Sequence, residues 1–144
     1  MKTIVSSLIL ALSLLCGQAF AAPQVFTSPA GKFSIDVPAG WTAKAVDNGC
    51  QLTDAKGENS MSLQYRKADV EPKALAKAVV EGMNGKLKKE TAEKDGTVCM
   101  VCDVDGTQVM VVVAPVEDIL TCAILGGSDT QNMLKILQTV EEVK

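Results

Sequence analysis

The stretch Gly31-Lys-Phe-Ser-Ile-Asp-Val-Pro-Ala-Gly-Trp41 determines where a strand meets a turn in this chain. Its large apolar side chains alternate with polar ones and therefore point to one face of a half-buried β-strand: Phe33, Ile35 and Val37. Pro38 removes a backbone donor and Gly40 permits a positive φ, so the strand is predicted to end there. Trp41, the only tryptophan, then begins the next segment. We expect the rest of the domain to pack on this corner.

Short antiparallel strands are predicted on both sides of this stretch. Asn48-Gly49 and Asp105-Gly106 are strong two-residue hairpin signals, and Asp95-Gly96 marks a further turn. The strands are expected near residues 25–26, 33–37, 41–46, 50–53, 60–66, 86–95, 97–104, 107–114 and 119–125. The strand near 86–95 is rich in charge, which is typical of a sheet edge protected from aggregation. The strands at 97–104 and 107–114 carry valine on both faces, so something must cover each side of the sheet.

Two helices are predicted. Pro72 stands at the first position of one helix, and its apolar stripe is predicted to be Leu75, Val79 and Met83. Ser128, with Gln131 three residues on, is expected to cap the second helix, whose buried stripe is predicted to be Met133, Ile136, Leu137 and Val140. This order of elements predicts an α+β fold with a largely antiparallel β-sheet flanked by two helices.

The opening stretch also suggests a family. Residues Phe33 to Trp41 resemble the "F-x-I-x-x-P-x-x-W" start of PsbP-like domains, and the terminal helix after the Gly126-Gly127 turn is similar too. That group includes the photosystem II extrinsic protein PsbP, the bacterial periplasmic or lipoprotein DcrB type and a Ran-binding import factor. The resemblance implies a PsbP-like α/β/α sandwich, and binding or assembly roles rather than catalysis. It assigns no functional residue to this chain.

Residues 1–21 have the pattern of a signal peptide. Lys2 is followed by an apolar run from residue 4 to residue 15 and by an Ala19-Phe20-Ala21 cleavage site. We expect cleavage after Ala21, a single domain over residues 22–144, no transmembrane segment after cleavage, and a periplasmic or secreted location in a bacterium. Two alternatives stay open: an uncleaved anchor, which the short run disfavours, and lipidation of Cys16, which the large Leu15 disfavours.

Charge and composition exclude several functional classes. The net charge is −3, so no basic surplus points to nucleic acid. The chain has no histidine, which rules out His-based catalytic triads and His-containing zinc sites. No carboxylate pair has a spacing that indicates acid–base catalysis, and Asp103 and Asp105 are explained by turn chemistry. We expect no catalytic residue, no cofactor and no enzymatic activity.

Four cysteines follow the predicted cleavage site: Cys50, Cys99, Cys102 and Cys122. Their even number and an oxidising compartment favour two disulfides in one of three connectivities. Cys99-Met-Val-Cys102 also has the C-x-x-C spacing of thiol oxidoreductases, and a zinc site made of all four cysteines is a further alternative. In a regular strand, however, Cys99 and Cys102 face opposite ways with Cα atoms roughly 10 Å apart, beyond the ~7 Å limit for a disulfide.

The hairpin at Asp105-Gly106 makes the thiol prediction specific. It places Cys102 opposite Val109 and Cys99 opposite Val112, unless a β-bulge at residues 100–101 turns one side chain over. We therefore predict at most one intrachain disulfide, which would join Cys50 to Cys102 or Cys122, and at least two free, mostly buried thiols.

The functional hypothesis is a non-catalytic binding or assembly module of the cell envelope, with an envelope protein or a small ligand as partner. The alternative is a thiol-redox or oxidation-sensing protein that uses Cys99 and Cys102. A small hydrolase would need an activated Ser or Asp nucleophile, for which no constellation is visible. Trp41 and Tyr65 are expected in the core or at its rim, with a ligand platform as the less favoured interpretation.

Overall fold

The computed structural model describes residues 22–144; the signal peptide predicted over residues 1–21, with Cys16, lies outside the described residues. Strands and helices follow one another along the chain as β1 (Ala22–Ser28), β2 (Gly31–Val37), β3 (Thr42–Val46), β4 (Gly49–Thr53), β5 (Ser60–Lys67), α1 (Pro72–Gly82), β6 (Lys86–Ala92), β7 (Val98–Val104), β8 (Thr107–Val116), β9 (Ile119–Gly126), α2 (Thr130–Leu137) and β10 (Glu141–Val143).

The strands form two antiparallel sheets. The larger sheet has seven strands in the order β3-β4-β5-β9-β8-β7-β6, and the smaller has three in the order β1-β2-β10. Every strand pairing is antiparallel. The predicted α+β class, with a largely antiparallel sheet and two helices, is confirmed.

Both faces of the seven-stranded sheet are covered, as the valine-rich strands predicted. Helix α1 packs on β7 and β8 on one face. The small sheet and α2 cover the other face and share a core with it. Val111 and Val113 are buried beneath α1, whereas Val112 belongs to the core between the two sheets. This alternation along one strand explains why β8 is apolar on both sides.

The stretch at residues 31–41 folds as predicted. Phe33, Ile35 and Val37 are almost completely buried, with 0%, 0% and 6% exposure. Strand β2 then ends at a turn in which Gly40 has a φ of 87°, a region that glycine adopts without strain. The Trp41 N–H closes this turn by donating to the Pro38 carbonyl oxygen at 3.1 Å.

The hairpin signals predicted one register correctly and another wrongly. Val104 pairs with Thr107 across Asp105 and Gly106, as predicted. In the β3-β4 hairpin, however, Val46 pairs with Gly49, so the loop is Asp47 and Asn48 rather than Asn48 and Gly49. Gly49 instead begins β4, at a place where a Cβ would overlap the carbonyl oxygen of Leu63 on β5, so glycine is required there.

Helix α1 begins at Pro72 as predicted, but it buries a rotated face. Its buried residues are Leu75, Ala76 and Val80. Val79 and Met83, which were predicted in the stripe, are only half-buried. The small side chain of Ala76 lets this face of the helix approach the sheet closely. The spacing of large apolar residues alone does not reveal that this face is the buried one.

The last helix and the C-terminal residues also differ from the prediction. Asp129, not Ser128, precedes the first turn of α2, and its carboxylate accepts a hydrogen bond from the Asn132 side chain at 2.8 Å. Met133 and Ile136 are buried, whereas Leu137 and Val140 are half-buried. The chain continues into the short β10, which pairs with β2 and was not predicted.

The charged strand near residue 90 is an edge strand, as predicted. Strand β6 ends the seven-stranded sheet and is exposed along its whole length. Its register with β7 shifts between Leu87 and Lys89. Charge and this irregularity both obstruct pairing with another sheet.

Candidate functional site

Trp41 differs from the other aromatic residues of the described chain. Phe26, Phe33 and Tyr65 are buried, with 8%, 0% and 6% exposure, whereas Trp41 is half-buried. Tyr65 stacks on Phe33 with ring centroids 5.1 Å apart. Tyr65 is therefore a core residue whose edge reaches the surface, and Trp41 is the aromatic side chain at the rim of the core.

Trp41 lines a groove between the end of β2 and helix α2. This groove, called the Trp41 groove below, has a volume of about 320 Å³. It is lined by Asp36, Pro38, Trp41, Asn132, Lys135, Ile136 and Thr139. A second depression of about 350 Å³ adjoins Trp41 and is formed by the turn before it and the loop between β4 and β5. The indole ring thus separates two concave surfaces, an arrangement suited to contact with a bound molecule.

Hydrogen bonds hold one wall of the groove in place. The Asp36 N–H donates to Thr139 Oγ1 at 2.9 Å, and Thr139 Oγ1 donates to the Ile136 carbonyl oxygen at 2.6 Å. Thr139 therefore joins the end of α2 to β2. The far end of α2 is fixed as well, because Asn59 accepts a hydrogen bond from the Asp129 N–H at 2.9 Å.

Two ionisable side chains give the groove its polarity. Burial, and then the nearby negative charge of Glu141, raise the pKa of Asp36 above its usual value. Lys135 is exposed on α2 at the groove rim. The groove thus offers an apolar floor, one carboxyl group in an unfavourable environment for its charge, and one exposed ammonium group. An apolar floor with a few polar groups at its rim suits contact with a bound molecule.

A larger cleft of about 410 Å³ lies beside Tyr65, between the β1-β2 turn and the residues that follow β5. Arg66 and Asp69 face each other there at 3.9 Å, but both side chains are exposed, so this ion pair contributes little. Burial, followed by the charges of Glu142, Asp118 and Glu117, raises the pKa of Tyr65 above its usual value. This cleft lacks an exposed apolar side chain comparable to Trp41.

All four described cysteines are free thiols. The predicted register is confirmed, with Cys99 opposite Val112 and Cys102 opposite Val109. Cys102 and Cys122 lie in the core under α1, whereas Cys50 and Cys99 lie on the other face of the sheet.

The predicted disulfide from Cys50 to Cys102 or Cys122 was wrong, because the sheet itself separates Cys50 from both of these thiols. Cys50 and Cys99 share a face, but strands β5, β9 and β8 lie between them. At ordinary strand spacing this puts them roughly 19 Å apart.

The environment of the thiols does not favour a reactive thiolate. Burial raises the pKa of Cys50 to about 12 and that of Cys122 to about 11. Burial also raises the pKa values of Cys99 and Cys102. Thiol oxidoreductases need the opposite shift, which a helix N-terminus or a neighbouring cation provides.

Asp103 has a structural role in the turn between β7 and β8. Asp103 accepts a hydrogen bond from the Gly106 N–H at 2.7 Å, in accordance with its predicted role in the turn. Within residues 22–144, no group of three or more cysteine and acidic side chains is arranged to hold a metal ion. No helix in that range is both long enough and apolar enough to cross a membrane.

The groove brings together residues that the sequence did not connect. Trp41 was singled out as an aromatic residue of the rim, but Asn132, Lys135 and Thr139 were not considered. Thr139 and Asp36 are 103 positions apart. Only the docking of α2 against β2 unites them, and local patterns do not report that contact.

Comparison with known proteins found a similar solved structure but no matching sequence. No family model and no curated protein matches the sequence. The chain is similar in structure to cyanobacterial PsbP (CyanoP) from Synechocystis sp. PCC 6803, with a TM-score of 0.55 and 12% sequence identity. The match covers 85% of this chain and 94% of that one. At this identity the likeness concerns architecture, and it agrees with the resemblance of the Phe33 to Trp41 stretch. The chain has a PsbP-like fold.

Proposed function

We propose that this protein is an exported, non-catalytic binding module of the bacterial cell envelope, and that it binds an envelope protein or a small ligand at the Trp41 groove. One observation carries the proposal: Trp41 is half-exposed between two concave surfaces, while the other described aromatic residues are buried. Tryptophan is over-represented among the residues that contribute most to binding, because it offers a large, rigid apolar surface.

Two further arguments support the proposal. The predicted signal peptide over residues 1–21 supports export, and the acidic composition gives no reason to expect a nucleic-acid partner. The PsbP-like fold is compatible with many activities, so the argument for binding depends on the groove itself.

The thiol-redox alternative has less support. Cys99 and Cys102 lie on opposite faces of the seven-stranded sheet, so they cannot meet without rearrangement of β7. Their pKa values are also raised, which lowers the fraction of reactive thiolate. A binding role requires neither residue to react.

Site-specific photo-crosslinking tests the proposal. A benzophenone amino acid replaces Lys135, at the groove rim, or Lys77, an exposed residue of α1 that serves as the control. On irradiation in envelope extract, we expect a discrete adduct from position 135 and none from position 77. Adding Trp41→Ala to the position 135 variant should remove the adduct. Equal adducts from both positions, or an adduct unaffected by Trp41→Ala, would contradict the proposal.

A further inference from the structure

Strand β3 leaves one edge of the seven-stranded sheet open. Among the described residues 22–144 it pairs only with β4, and its residues Thr42, Lys44, Ala45 and Val46 are exposed. Ala43 is half-buried against the core between the two sheets. An open edge presents unpaired backbone donors and acceptors, which another extended chain can satisfy.

The register shows which backbone groups are free. Val46 and Gly49 flank the two-residue loop, so they form a hydrogen-bonded pair, and such pairs alternate along an antiparallel ladder. Lys44 and Thr42 therefore also bond inward to β4. The N–H and C=O groups of Ala43 and Ala45 point outward, away from the sheet.

The two edges of the large sheet differ in their protection. Strand β6 carries three lysines and a glutamate, and its register with β7 is irregular. Strand β3 has one lysine, an uninterrupted register and no proline. Natural edge strands that must not pair are obstructed by such features, and β3 lacks most of them.

The open edge is continuous with the Trp41 groove. Trp41 directly precedes β3, and it packs with Ala43 against the same core cluster. Side chains two positions apart on a strand share a face, so Trp41, Ala43 and Ala45 lie along one side of β3. A chain paired with β3 would extend to the indole at that end.

The charge on β3 indicates the kind of chain that fits. Lys44 is the only ionisable residue of the strand and is exposed. Two copies of β3 pairing with Ala43 opposite Ala45 would set the two Lys44 side chains directly against each other, which is unfavourable. A foreign segment with a carboxylate opposite Lys44 is favoured instead.

We propose that β3 binds an extended segment of a partner protein by strand addition, with an acidic residue opposite Lys44 and an apolar side chain against Trp41. The inference rests on the proposed function and names the partner's chemistry. Backbone hydrogen bonds to Ala43 and Ala45 provide the affinity, and the two side-chain contacts provide the register.

The test uses random peptides without tryptophan, displayed on phage and selected on the purified protein. Enriched peptides should combine alternating apolar residues with an Asp or Glu. A synthetic copy should change the fluorescence of Trp41, which is the only tryptophan in the protein. Ala45→Pro removes one outward N–H without breaking the pairing with β4, so we expect about tenfold weaker binding. Ala45→Ser keeps that N–H and is the matched control.

Two further measurements separate strand addition from simple contact with the groove. Methylation of alternate peptide amides should abolish binding when the methylated N–H groups face β3, and should leave it intact when they face away. Lys44→Glu should weaken binding and reverse its salt dependence, because two like charges would then face each other.

Several outcomes would overturn the inference: no enriched peptide, binding insensitive to Ala45→Pro and amide methylation, or a dimer of the protein that Ala45→Pro dissociates. Binding that depends on Trp41 but not on Ala45 would leave the proposed function standing while refuting strand addition.

Discussion

At the scale of single residues, Asp36 gives a prediction of how stability depends on pH, because burial and the nearby Glu141 shift the pKa of its carboxyl group in the same direction. Both raise its pKa above the ordinary 3.8. Folding therefore favours the protonated form, and this contribution to stability is present below pH 3.8 and is lost as the pH rises through the folded pKa.

Asp36→Asn removes that titration. We expect the free energy of unfolding of the variant, minus that of the wild type, to increase as the pH rises from 3.8 and to level off above the folded pKa of Asp36. Urea titrations over a series of pH values measure this difference. Glu141→Gln should show a smaller pH-dependent difference of the same sign, because it removes only the second cause. A difference for Asp36→Asn that is constant with pH would show that its carboxyl group is fully solvated.

The four described thiols give a second prediction at this scale. In the folded, unreduced protein, alkylation should be slow at the buried Cys50, Cys102 and Cys122 and faster at the half-buried Cys99. After unfolding without reductant, all four should carry the label. Peptide mass mapping reports each site. A Cys99–Cys102 disulfide would require β7 to depart from the register that it forms with β8.

Among the structural elements, β4 begins one residue earlier than the sequence predicted. Gly49 was predicted in the turn, but it lies where β4 approaches β5 too closely for a side chain. Gly49→Ala should therefore lower the free energy of unfolding by about 1–3 kcal/mol or more. Gly82→Ala is the control, because nothing lies within 4 Å of a Cβ at that position in α1. It should raise stability by about 0.4–1 kcal/mol. Equal effects from both variants in urea unfolding would refute the close approach of β4 and β5.

The orientation of α2 is tested in the same way. Met133 is fully buried, whereas Leu137 is half-buried. We expect Met133→Ala to lower the free energy of unfolding by about 2–5 kcal/mol and Leu137→Ala to cost less. A larger loss at Leu137 would mean that the helix turns a different face to the core. The comparison matters for function, because the same orientation places Lys135 and Thr139 at the groove.

These elements show how far the sequence alone could lead. Strand β2 and the β7-β8 register were predictable because side-chain alternation and a two-residue Asp-Gly turn are local properties. Strand β10 was not, since Glu141, Glu142 and Val143 show no apolar alternation and form a strand only because β2 offers an edge. The buried faces of the helices depend on which sheet residues they meet. The groove escaped prediction for the same reason, because it exists only where α2 docks against β2.

At the scale of the whole molecule, the two sheets and α2 share one core, and Trp41 stands at its rim. The fold thus places a rigid aromatic surface beside one edge of the large sheet, whereas the charged strand β6 forms the opposite edge and α1 packs on β7 and β8. Binding at the Trp41 groove and β3 should leave α1 and β6 undisturbed. This expectation distinguishes the account from one in which the protein binds through its lysine-rich edge.

The most direct measurement is the backbone amide spectrum of nitrogen-15-labelled protein, recorded with and without unlabelled envelope extract. The account predicts shift changes or line broadening confined to residues 36–46 and 132–139, and the loss of these changes in Trp41→Ala. Changes centred on α1 or β6, or a spectrum that the envelope extract leaves unchanged, would contradict it.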